Sequence, residues 1–175
     1  MQQTLLALLA LMTASFLSFS QMNAIVKSER EMVRSELEEM ATGIAMQSME
    51  VVRARAFDDA LIGIPADSSL DASNFTAGPF TPGNECKSFG GTDLCNDIDD
   101  FHEMVPATVP FTLPSDQIDF KVEVRVRYVD NAMLPTGGTP TIRKEVTIYV
   151  QDIPPTGGDV MLKEPIEFSE TLAYI

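Results

Sequence analysis

The chain has no tryptophan, a single histidine (His102) and only two cysteines, Cys86 and Cys95. One histidine, with no paired His/Glu spacing, leaves little for imidazole-centred acid–base work or metal-assisted hydrolysis. No glycine-rich loop follows a strand to cradle a phosphate. No catalytic constellation is visible, and an enzyme is not expected. Charge is absent from Met1 to Val26, Lys27 being the first charged residue. Proline is absent up to Ile62, and Gly43 is the one glycine in that span. Basic residues are scarce: the net charge is −14, while residues 1–57 carry six acids and five bases, so nearly all the excess acid lies beyond them. That distribution argues against nucleic acid and anionic lipid surfaces as partners.

The uncharged opening is a run of large apolar residues: Leu5-Leu6-Ala7-Leu8-Leu9-Ala10-Leu11-Met12, continuing through Phe16, Leu17 and Phe19 to Met22. Eighteen or more apolar residues are enough to span a bilayer. From Lys27 to about Ile62 helix formers continue, so the pattern predicts one helix, apolar over 1–26 and amphipathic over 27–62. A cleaved secretory signal fits poorly, because nothing basic precedes Lys27 and no cleavage site interrupts the helical pattern. A membrane anchor and a self-packing membrane helix remain. Ala7, Ala10, Ala14 and Ser18 form a small-residue stripe that lets helix backbones approach closely. Beyond it, Val26, Val33, Leu37, Met40, Ile44 and Val51 recur at helix-packing spacing. Lys27–Glu31 and Arg34–Glu38 are spaced as ion pairs on the solvated side. Gly43 is either a soft point or a point of close approach.

Residues 63–175 read as a separate exposed domain. Gly63, Pro65, Gly78-Pro79 and Pro82-Gly83 mark loops, and Pro65 supports a helix stop near Ile62. Cys86 and Cys95 read as a disulfide in an exported domain, with zinc as the rival that would need two further ligands. In Phe120 to Tyr128, Phe120, Val122, Val124, Val126 and Tyr128 alternate with charged residues. After a Pro/Gly loop, Ile142, Val146, Ile148 and Val150 share a face on which Lys144 is the exception. These strands predict an antiparallel hairpin, and the tail from Val160 to Ile175 predicts a third strand, interrupted at Pro165. Ala45, Met49, Val52 and Phe57 of the helix are the expected cover for the apolar face. The fold class is therefore α+β: a long N-terminal helix packed on a small antiparallel sheet.

Asp93, Asp97, Asp99 and Asp100 put four carboxylates in a short turn, and calcium takes six to eight oxygens. Asp93, Asp97 and Asp99 are the calcium candidates, although the stretch lacks the turn glycine and closing glutamate of a helix–loop–helix site. The plainer reading is Asp side chains capping turns. Asn74-Phe75-Thr76 is a glycosylation triplet in a loop. No cofactor other than such a calcium is expected.

A long helix, apolar then amphipathic, laid on an antiparallel sheet resembles the type IV pilins and pseudopilins. Asn96-Asp97-Ile98-Asp99-Asp100-Phe101-His102, followed by the strand from Phe120 to Val129 and by Lys144-Glu145-Val146-Thr147-Ile148, is similar to the minor pilins of mannose-sensitive haemagglutinin pili. The resemblance implies storage in the inner membrane, handling by a prepilin peptidase and the pilus assembly machinery, and polymerisation with copies of itself into an extracellular filament serving adhesion or surface attachment. The implied assembly residues are Met1, Leu5, Leu8, Leu9, Ala10, Ala14, Phe16 and Leu17. Three features depart from the family: Leu5 stands where it usually carries glutamate, no proline bends the helix in the early twenties, and no basic leader precedes Met1. Met1 is then either the residue left by the peptidase or the initiator. The alternatives are a pseudopilin or minor pilin of a secretion or DNA-uptake machine, and a non-polymerising bitopic membrane protein with an acidic, ligand- or calcium-binding outer domain.

Overall fold

The computed structural model describes residues 2–63, 71–83, 85–113, 117–154, 158 and 160–174, the side chains of Gln2 and Leu5 excepted. Pro65 therefore lies outside the described residues. Helix α1 runs from Gln2 to Arg53, 52 residues without a break. The chain divides into two compact units, Met1–Leu37 and Glu38–Ile175. In the first, the large apolar side chains are exposed, from Leu6, Leu8, Leu9 and Leu11 through Phe16, Leu17 and Phe19 to Met22, with Val26 and Val33 also open to solvent.

In the second unit the helix packs on a small antiparallel sheet. Ala41, Ile44, Ala45, Ser48, Met49 and Val52 are buried along one stripe, and Phe57 is buried just beyond the helix end. Ala45, Met49, Val52 and Phe57 thus take the positions the sequence assigns them. Side chains at these spacings share one face because a helix turns once in 3.6 residues. At Gly43 an added Cβ would meet nothing within 4 Å, so the helix makes no close approach there among the described residues.

The helix ends at Arg53, not near Ile62. Ala54 N–H and Arg55 N–H still bond back to Glu50 and Val52. At Ala56, however, the backbone leaves the helix to pair with the acidic turn: its N–H donates to Asn96 O and its C=O accepts from Ile98 N–H. Asp58 then caps a short 3-10 helix over Asp59–Leu61, accepting the Ala60 N–H at 3.0 Å. These bonds replace the helical ones that Ala56, Asp58 and Ala60 would otherwise make, so the helix-forming sequence is overridden by tertiary pairing.

The sheet has four strands: β1 (Ala107–Thr112), β2 (Gln117–Tyr128), β3 (Arg143–Ile153) and β4 (Ile166–Ala173), all antiparallel in the order β1-β2-β3-β4. The predicted hairpin is β2–β3, with Val124 opposite Ile148 and Val126 opposite Val146. One face is buried through Phe120, Val122, Val124, Val126, Tyr128, Val146, Ile148 and Val150. Strand β1 has no counterpart in the sequence reading; it sits at the edge, where Pro110 costs no ladder bond on its open side. The tail strand begins only at Ile166. Before it, Asp152 accepts the N–H groups of Met161 and Leu162 at 2.8 and 3.0 Å, fixing that stretch as a turn with Leu162 buried.

Candidate functional site

Two features of the molecule invite a functional reading: the exposed apolar part of α1 and a buried charge cluster under the sheet. Leu8, Leu9, Ala10, Ala14, Phe16 and Leu17 all lie on α1 and are exposed. Met1 and the side chain of Leu5 lie outside the described residues. The helix holds a stretch long and apolar enough to cross a membrane, and none of that stretch is buried within the chain. Burying a Leu or Phe side chain is worth about 1.5–3 kcal/mol, so this surface strongly favours lipid or another apolar surface over water.

The second feature is built around Lys144, the exception in the β3 pattern. Tyr128 stands opposite it in the register, and alternation turns both side chains to the buried face. Lys144 is completely buried, and Nζ makes three polar contacts: Phe57 O at 2.6 Å, Asp99 Oδ1 at 2.6 Å and Asp58 Oδ2 at 3.3 Å. Rings of Phe57, Tyr128 and Phe80 surround it at 4.6, 5.0 and 5.4 Å from their centroids. Such packing around a cation is favourable because the ring faces are negative.

The two carboxylates differ in their surroundings. Asp58 Oδ1 accepts from Ala60 N–H and from the Thr76 hydroxyl; Oδ2 accepts from Thr76 N–H at 2.9 Å and from Tyr128 OH at 3.2 Å, beside Lys144. Burial pushes Asp58 upward, but the Ala60 and Thr76 amides and the Lys144 ammonium outweigh it and hold the carboxyl below its usual range. Asp99 touches Nζ, yet neither of its oxygens receives an aligned hydrogen bond among the described residues. Burial, only partly countered by Lys144, pushes Asp99 up to about 7. Tyr128 is pushed upward by burial and by the Asp99 and Asp58 charges.

The acidic turn is organised mostly by its own backbone. Asp97 accepts the N–H groups of Asp59 at 2.8 Å and Asp100 at 3.1 Å, and Asp100 accepts that of Asn96 at 2.8 Å. Burial raises Asp97 above the usual carboxylate range. Asp93 is exposed and bridges to Cys86 through its backbone. An open cavity of about 330 Å³ is lined by Asp59, Asp93, Asp97, Asp99 and Asp100 together with the loop at Thr76–Gly83. Of the three calcium candidates, which all line this cavity, Asp99 faces Lys144, Asp97 caps backbone amides, and Asp93 is exposed. Among the described residues no group of three or more His, Cys, Asp or Glu is arranged to hold a metal.

Cys86 and Cys95 are joined to each other, with Cα atoms 5.5 Å apart. The loop they close begins with a 3-10 helix at Lys87–Phe89 and turns back through Gly91, whose N–H donates to Cys86 O. A Cβ on Gly91 would lie 2.2 Å from Glu85 O, so glycine is required there. Asn74 is exposed, its Oδ1 accepting the Asp71 N–H at 3.0 Å, while the hydroxyl of Thr76 is engaged by Asp58.

The sequence reading missed Asp58 and the pairing of Asp99 with Lys144. The available signal was Lys144 itself: a cation on an apolar strand face must find a buried partner. Comparison with protein-family models, curated proteins and solved structures returned no match for this chain.

Proposed function

We propose that this chain is a structural subunit of a type IV pilus-like filament, stored in a membrane by α1 and assembled by packing of that helix against copies of itself. The observation that carries the reading is the uncharged stretch up to Val26: its Leu and Phe side chains from Leu6 onward are exposed, while the same helix, beyond Glu38, is built into an α+β domain. An apolar helix of this kind needs a cover from outside the chain. Lipid supplies it in the stored subunit, so the gain on assembly is smaller than transfer from water would give. Close packing through Ala10 and Ala14 then favours helices over lipid as neighbours. The disulfide-closed loop and the sheet supply the outward surface for attachment.

Ala10→Leu and Ala14→Leu test this directly. Both keep the helix apolar, so membrane insertion is unchanged, but a larger side chain holds helices apart. The expected result is normal membrane content with filaments lost or reduced at least tenfold. Filaments at parental level from the double variant would overturn the packing account. Membrane-held chain with no filaments even from the parent would favour the bitopic membrane protein.

A further inference from the structure

The cluster at Lys144 has more acid than an ion pair needs. One ammonium faces two carboxylates, Asp58 and Asp99, and Asp97 adds a third charge felt at Asp99. Burying a second carboxylate for a single cation is costly unless the group is neutral or has another use. The two are also unlike in a specific way. Asp58 is surrounded by hydrogen-bond donors and held ionised; Asp99 is within reach of Nζ but, among the described residues, has no donor aligned on it. Two carboxyls driven apart in protonation are the arrangement by which proteins assign a base and an acid. The amine nitrogen already touches the carboxyl group it would attack, Nζ lying 2.6 Å from Asp99 Oδ1, with Asp58 Oδ2 at 3.3 Å from the same nitrogen.

We propose that Lys144 and Asp99 condense into an intramolecular amide, with Asp58 as the proton carrier. The ammonium proton passes from Nζ to Asp58. The freed amine lone pair attacks Cγ of protonated Asp99, forming the C–N bond. Asp58 returns its proton to the departing hydroxyl, the C–O bond breaks and one water leaves. The second nitrogen proton then passes to Asp58, which ends protonated. No oxidant, reductant or cofactor enters, and atoms balance as amine plus acid giving amide plus water. The product removes the buried Lys144–Asp58 ion pair, which favours it in a site where ions are poorly solvated. Reacting groups already in contact lower the entropic part of the barrier. The rings of Phe57, Phe80 and Tyr128 cover the nitrogen side of the bond, while Asp99 borders the open cavity through which the released water leaves. The bond ties the acidic turn, beside the Cys86–Cys95 loop, to strand β3, and it does not depend on the filament reading.

The test is tryptic digestion and mass spectrometry of the full chain, purified in detergent, denatured and reduced. Trypsin cuts after Lys87, Lys121, Arg143 and Lys163 but not after an acylated Lys144. The expected product is residues 88–121 joined to residues 144–163, lighter by one water than the two peptides together, with loss of the free peptide 145–163. Recovery of free 145–163 and unmodified 88–121 as the main products would overturn the proposal. Asp58→Asn keeps the shape of the side chain but cannot take the proton, and at least tenfold less joined peptide is expected from it. Parental levels of the joined peptide in that variant would overturn the role of Asp58. The digest of the parent chain decides the bond itself, whether or not the variant folds.

Discussion

Lys144 Nζ lies 3.3 Å from Asp58 Oδ2, and neither side chain has any exposed surface. The pair joins strand β3 to the segment that follows the long helix, and Phe57 O, accepting from the same nitrogen at 2.6 Å, makes the attachment double. The end of the helix is thus fixed by a charge on the sheet.

Lys144→Met fills the space but leaves Asp58 and Asp99 buried without a cation. A loss of about 3–5 kcal/mol is expected, the usual cost of removing one partner from a buried pair. Urea unfolding of the full chain in detergent, followed by circular dichroism, measures it. A loss under about 1 kcal/mol would show that the cluster does not hold the domain together.

Gly43→Ala is expected to stabilise the chain. The position is helical and an added methyl meets nothing within 4 Å, so only the backbone term changes. The expected gain is about 0.5–1 kcal/mol in the same unfolding experiment. A destabilised variant would reveal a contact at Gly43 made only with another molecule.

Opening the disulfide should matter despite the small loop. Residues 86 and 95 are separated by nine positions, and chain entropy for a loop of that size corresponds to about 2.5–3 kcal/mol. Cys86→Ser with Cys95→Ser should lower stability by that amount while leaving β2–β3 intact, which amide hydrogen exchange on Val124 and Ile148 can read. Loss of protection across β2–β3 would contradict the account.

His102 gives the chain a definite pH dependence. Its Nδ1 accepts the Val126 N–H at 3.1 Å, and burial, with Arg125 adding to it against Glu103, lowers its pKa below the usual 6.5. The unfolded chain therefore binds this proton more readily than the native one. The His102 contribution is present above the usual histidine range and is lost as pH falls through the native value. His102→Gln, which retains an acceptor for Val126, should flatten the stability change between about pH 7 and about pH 5. The raised pKa values of Asp99, about 7, and of Asp97 act in the opposite sense but are common to both proteins, so the difference between them isolates His102. Parallel pH curves would contradict the assignment.

Much of the architecture was legible before the structure. The 3.6-residue spacing of Ala45, Met49 and Val52 named the covering face, strict alternation from Phe120 to Tyr128 named the central strand, and Cys86 and Cys95 named their bond. Three things were not legible, for physical reasons. No Gly or Pro marks the end of α1 at Arg53, because the stop is made by Asn96 and Ile98 pairing with Ala56 from far along the chain. Strand β1 carries Pro110, which reads as a strand breaker until its edge position is known. Asp58 looks like any surface acid until β3 brings Lys144 to it. The acidic turn, weighed as a metal loop, proved to be organised chiefly by its own amides and by that lysine.

The central claim is that the uncharged part of α1 is an assembly surface, and the most direct measurement is electron microscopy of material sheared from cells producing the chain, with mass spectrometry identifying the subunit. The account predicts thin filaments composed of this chain, lost in the Ala10→Leu, Ala14→Leu double variant while membrane content stays constant. Finding the chain only in the membrane fraction, with no filament containing it, would contradict the claim.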